Sequence, residues 1–202
     1  MKHLNDYITE KLRINSESSK NIDIPATKEE LIEILKVRLQ KDKNANLNDI
    51  NVSNITDFNH LFEDLDPGNI DISEWDMSNA TNLNGMFSIC FNLQCDLSKW
   101  NVSKVKNFSF MFNDCKKFTS DLSKWDVSNA ESMTNMFAGC LEFDSNLSNW
   151  DVSKCNRLAG MFINCQKLKT DLSNWNVSKD ANQLNMFRNV NKGTIPKWYK
   201  YQ

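Results

Sequence analysis

The sequence predicts an α/β solenoid: six units of 25 residues, each with a short parallel strand and a short helix, preceded by a helical cap. Three observations carry this. Phe62, Phe87, Phe112, Phe137, Phe162 and Phe187 keep one spacing without a slip, as do Trp75, Trp100, Trp125, Trp150 and Trp175, with Ile50 in the Trp place of the first unit. Each unit has two textures, an alternating "LSKWDVS" and a longer "SNAESMTNMFAGC". A unit of this size cannot bury its own apolar face, whereas stacked copies bury one another's, which is the logic of a repeat array.

In "LSKWDVS" Trp125 and Val127 flank Asp126, an alternation that predicts a short strand with Trp and Val inward. In the second texture Ala130, Met133, Met136, Phe137 and Cys140 predict one face of a helix, with Ser128 as N-cap and Glu131 completing a capping box. Asp71, Asp96, Asp121, Asn146 and Asp171 punctuate the return to the next strand as Asx turns. The unit length falls in the leucine-rich-repeat range, so the predicted fold is leucine-rich-repeat-like.

Four segments follow from this reading. Residues 1–22 form an amphipathic helix, with Leu4, Tyr7, Ile8 and Leu12 on one side, and a Ser-rich linker. Residues 23–46 form the N-terminal cap, a helix opened by Thr27 and Glu30 and carrying Leu31, Leu35 and Leu39. Residues 47–196 are the six units, and residues 197–202 close the far end, with Trp198 over the last coil. Cys90, Cys115, Cys140 and Cys165 occupy one repeat position, which predicts buried, reduced thiols rather than a metal pair or a disulfide framework.

The pattern "LSKWDVSNAESMTNMFAGC" at 122–140, with its W-[DN]-V-S and later M-F-x-x-C, resembles the bacterial surface-protein repeat grouped with BspA-like leucine-rich repeats. The resemblance covers roughly Leu47 to Ile195. It implies adhesion or protein binding and brings no catalytic residues with it. The segment "MKHLNDYITEKLRI" resembles N-terminal helices on proteins of tailed bacteriophages.

The chain carries 24 Lys and Arg against 26 Asp and Glu, both signs spread along its length, so no basic block is present to track a phosphate backbone. No apolar run is long enough to span a membrane, and the first residues lack the apolar core of a secretory signal. These features favour a cytoplasmic or virion-associated protein over a cell-surface one. His3 and His60 have no partner motif, and no phosphate loop or nucleophile elbow appears. The expectation is therefore no enzyme, no catalytic or metal site and no cofactor. If Trp and Val face inward, then Asn51, Asp76, Asn101, Asp126, Asp151 and Asn176 form an exposed polar ladder, the candidate binding strip. The function expected is a monomeric, non-enzymatic scaffold that binds a protein or surface ligand through the solenoid face. The alternative is a bacteriophage structural or packaged protein directed by its N-terminal helix.

Overall fold

A computed structural model describes residues 23–63 and 65–200; the predicted amphipathic helix at 1–22 lies outside them. Helix α1, Lys28–Lys41, is the one α-helix among the described residues, and a short 3₁₀ turn, Lys192–Thr194, is the one other helical element. Thr27 caps α1 through its hydroxyl, which accepts from the Glu30 N–H at 3.3 Å, and the Glu30 carboxylate accepts from the Ala26 N–H at 2.9 Å. Its buried side is Leu31, Ile34, Leu35 and Leu39.

The repeats differ from the predicted α/β solenoid. They contain neither the expected strands nor the expected helices, and no sheet forms among the described residues. Pairing between coils is limited to isolated parallel bridges, such as Asp57–Asn82–Asn107–Ser132–Arg157–Asn182. The chain instead runs as a continuous series of turns.

In the coil around Trp125, one set of bonds closes turns: Trp125 N–H to Leu122 O, Ala130 to Val127, Met136 to Met133, Ala138 to Asn135 and Cys140 to Phe137, at 2.8–3.2 Å. A second set leaves the coil. The N–H groups of Met133, Asn135, Phe137 and Gly139 donate to the carbonyls of Arg157, Ala159, Met161 and Ile163 in the next coil, at 2.7–2.9 Å. A helix over this stretch would need the Phe137 N–H to reach Met133 O. That donor is engaged 24 residues ahead instead.

Backbone dihedrals explain the difference. Asn135 (φ 51°) and Gly139 (φ 77°) are left-handed, and a residue of that kind every fourth position breaks any right-handed helix. The expected N-cap Ser128 is likewise a turn residue, its own N–H donating to Asp126 Oδ1 at 3.0 Å. The expected strand folds up because Asp121 and Asp126 each accept from the backbone two residues on.

Three-residue steps from one apolar side chain to the next place Leu122, Trp125, Val127, Ala130, Met133, Met136, Phe137, Cys140 and Phe143 in the interior, all buried. Because the coils keep register, like residues meet. Consecutive indoles from Trp75 to Trp175 lie 6.4–6.5 Å apart and within 6° of parallel. Consecutive phenyl rings from Phe62 to Phe187 lie 5.0–5.8 Å apart.

The two ends are finished differently. The first coil is covered by α1, with Asp23 bridged to Ile50 and Lys28 Nζ donating to Asn59 O at 2.8 Å. At the other end Trp198 donates to Leu172 O at 2.8 Å, and Tyr199 packs edge-on against Phe187 at 5.0 Å.

Candidate functional site

The six ladder residues, Asn51, Asp76, Asn101, Asp126, Asp151 and Asn176, are all exposed. In the first five, a side-chain oxygen accepts from the Ser N–H two residues on, at 3.0–3.2 Å. Each of these oxygens therefore holds a turn in place. The Ser78 and Ser153 hydroxyls, then the backbone N–H groups, hold the carboxyls of Asp76 and Asp151 below the usual range. The sixth coil departs from the pattern, since Ser178 Oγ there accepts from the Asp180 N–H at 3.3 Å.

A second column makes the same turn at each coil's return: Asp71, Asp96, Asp121, Asn146 and Asp171 accept from Ser73, Ser98, Ser123, Ser148 and Ser173 at 2.9–3.2 Å. Lysines run between coils to neighbours one repeat away. Lys99 pairs with Glu74 at 2.8 Å, Lys106 with Glu131 at 3.0 Å, and Lys104 donates to Asn79 at 2.9 Å. Exposed pairs of this kind add little stability.

The cysteines are free and, except for half-buried Cys95, buried. Cys115, Cys140 and Cys165 each donate to the carbonyl of the Phe in the preceding coil, at 2.9–3.0 Å. Burial pushes the Cys90 and Cys165 thiols up to about 12 and Cys155 to about 11. A thiol is nucleophilic only as thiolate, so these groups serve packing and carbonyl capping. His60 is half-exposed beside Glu63, 3.3 Å away. Among the described residues no group of three or more His, Cys, Asp or Glu is placed to hold a metal ion.

The face carrying the left-handed positions was not singled out from the sequence. Two columns there have positive φ at every described place: His60, Gly85, Phe110, Asn135, Gly160 and Asn185, and Ile89, Asp114, Gly139, Asn164 and Asn189. Gly, Asn and Asp fill most of these places because they tolerate that conformation. Ile89 (φ 65°) and Phe110 (φ 59°) do not fit the rule, and both are exposed, at 53% and 38%. The two lie together. The Ile89 N–H donates at 2.8 Å to the carbonyl of Asn113, and the Asn113 N–H closes the turn begun at Phe110. Phe91, two residues from Ile89, is 40% exposed, with Lys116 Nζ 4.6 Å from its ring centre. The signal was present in the sequence, as two bulky apolar residues in columns otherwise rich in Gly and Asn.

Two open grooves lie at the ends of the stack. One, of about 780 Å³, runs between α1 and the first coil past Ile32, Val37, His60 and Leu65. The other, of about 720 Å³, lies at the last coil beside Asn185, Phe187, Arg188 and Tyr199.

The geometry defines a repeat protein whose interior is a set of stacked side-chain columns and whose coils are built from turns. The chain belongs to the family described as "Mycoplasma protein of unknown function, DUF285", which matches it over residues 34–142 and 111–198. This match corrects the likeness to BspA-like leucine-rich repeats. No curated protein and no solved structure matches the chain. Among the described residues no helix is long and apolar enough to cross a membrane.

Proposed function

We propose that the protein is a non-enzymatic scaffold that binds another protein through the face bearing Ile89, Phe91 and Phe110. The observation that carries this reading is Ile89, a β-branched side chain in the left-handed region, more than half exposed. A β-branched residue there is a genuine outlier, costing of order 1–2 kcal/mol, and an exposed side chain recovers little of that by burial. Local rules are broken in this way where a surface has work to do. Phe110 repeats the exception one coil on, and Phe91, two residues from Ile89, adds a further exposed apolar side chain.

The exposed ladder supports a scaffold role more than a specific contact. Its oxygens recur in coil after coil because each one shapes a turn. The left-handed face differs from coil to coil, which is what recognition of one partner requires. The alternative of a virion-associated protein rests on residues 1–22, outside the described residues.

The test is a comparison of the chain with its triple variant Ile89→Asn, Phe91→Gln, Phe110→Asn on partner capture under native conditions. A protein retained by the first and lost by the variant, with the variant at least as stable, is the expected result. Equal retention by both, or retention by neither, would sink the proposal.

A further inference from the structure

Coil-to-coil bonding on the left-handed face has one polarity. In every coil before the last, alternate N–H groups donate forward, to carbonyls 24 residues ahead: Phe58, His60 and Phe62 to the second coil, and so on to Leu158, Gly160, Phe162 and Asn164, which donate to Asn182, Leu184, Met186 and Arg188 at 2.8–3.0 Å. In the last coil the corresponding donors are the N–H groups of Gln183, Asn185, Phe187 and Asn189. None of these has a backbone acceptor among the described residues. The local conformation that aims them forward is retained, with Asn185 at φ 56° and Asn189 at φ 60°.

We infer that this row is a docking edge for an extended, acidic peptide segment of a partner protein. An unpaired row of backbone donors is a template for an incoming chain, because each N–H gains most from an acceptor delivered at the same alternate spacing. Three of the four, Asn185, Phe187 and Asn189, line the groove at the last coil together with Arg188, Lys192 and Lys197, while Gln183 lies outside that lining. Among the described residues no carboxylate lines the groove. An incoming segment that offers carbonyls every second residue and carries Asp or Glu between them meets both features.

The same polarity rules out symmetric pairing of this edge with its own copy. Two such edges cannot pair, because both offer donors. Head-to-tail stacking needs the carbonyl row of the first coil, where Asn59 O already accepts from Lys28 and α1 buries Leu31 and Leu35. This edge is separate from the Ile89 face, and its occupant would be read from different residues.

The experiment uses the full chain and an eight-residue peptide of alternating Glu and Val, with alternating Lys and Val as control. Backbone amide spectra are recorded with and without peptide. The acidic peptide is expected to shift and protect the amides of Gln183, Asn185, Phe187 and Asn189, and the basic one to leave them unchanged. Charge reversal at Arg188, Lys192 and Lys197, all on the surface of the last coil and its tail, should weaken binding about tenfold or more. Three results would overturn the inference: strong exchange protection of these four amides in the chain alone, no binding of the acidic peptide, or shifts centred on Ile89 and Phe110. The first needs no variant, so it stands even if charge reversal disturbs the tail.

Discussion

The indole Nε1 of Trp125 donates at 2.9 Å to the carbonyl oxygen of Leu97, 28 residues back along the chain. Trp75, Trp100, Trp150 and Trp175 make the same bond, to Leu47, Ile72, Leu122 and Leu147, at 2.9–3.0 Å. Each indole thus bonds backward, and the rings of Trp75, Trp100, Trp125 and Trp150 pack on rings both ahead and behind. The pattern accounts for the choice of Trp, since an aromatic without a donor would stack but leave the bond unmade.

Trp125→Ala should cost about 3–5 kcal/mol, because it opens a cavity between two neighbouring indoles. Trp125→Phe should cost about 1–2 kcal/mol, from the lost bond and a smaller ring. Trp198→Ala should cost less than Trp125→Ala, since Trp198 is only half-buried and packs at one end. Urea denaturation of the three variants measures this. A Trp198 loss equal to that at Trp125 would show that the stack does not distinguish its middle from its end.

The thiols set the behaviour of the protein in base. Burial raises Cys115 and Cys140 well above their ordinary 9.0, and Cys155 to about 11. In the unfolded chain these groups lose their protons near pH 9, while in the fold they keep them. Their contribution to stability is thus fully present below about pH 9 and lost as pH rises toward about 11 for Cys155 and about 12 for Cys90 and Cys165. Hydrogen-bonded carboxylates such as Asp76 and Asp151 act at the opposite limit. Their pKa values lie below the usual 3.8, so what they contribute is present above that pH and lost as pH falls through the folded values. Thermal melts between pH 2 and 11 should show a plateau with both shoulders. Stability unchanged from pH 8 to pH 11 would contradict the burial of the Cys column.

The register of the columns is legible in the sequence, because a 25-residue step of Trp and Phe has no other economical explanation. Helix α1 is legible for a local reason: Thr27 and Glu30 set its start, and Leu31, Leu35 and Leu39 set its buried side. The character of the coils was not legible from apolar spacing. Ala130, Met133, Met136, Phe137 and Cys140 fit one face of a helix, yet successive three-residue turns bury the same set. What separates the two is Asn135 and Gly139, whose left-handed backbone sends N–H groups to the next coil. The Trp-x-Val alternation misled for the same reason, since the Asp between them bonds its own backbone. The exposed face at Ile89 and Phe110 becomes visible only once those columns are known to be left-handed.

Ile89→Asn should raise stability by about 1 kcal/mol. Asn stands at the equivalent places 164 and 189, at φ 60° in both, and tolerates the left-handed region better than a β-branched side chain. Ile89 is 53% exposed, so its removal gives up little buried area. Denaturant titration decides the matter. A loss of stability instead would mean that Ile89 is held by packing, and the argument for a partner at this face would weaken with it.

Asp126 tests the polar ladder. Its carboxylate accepts from the Ser128 N–H at 3.0 Å, and an amide oxygen in the same place makes the same bond, as Asn101 does for Ser103 at 3.2 Å. Asp126→Asn should therefore leave stability within a few tenths of a kcal/mol, while Asp126→Ala, which removes the acceptor, should cost about 0.5–1.5 kcal/mol. The two variants separate the roles of shape and charge. If the ladder matters through its turns alone, the Asn variant also keeps any partner that the unsubstituted chain binds. If the negative charge is read by a partner, the Asn variant folds normally and binds more weakly, with a reduced dependence of affinity on salt. Equal stability for the Ala and Asn variants would show that the Asp126–Ser128 bond does not hold the coil.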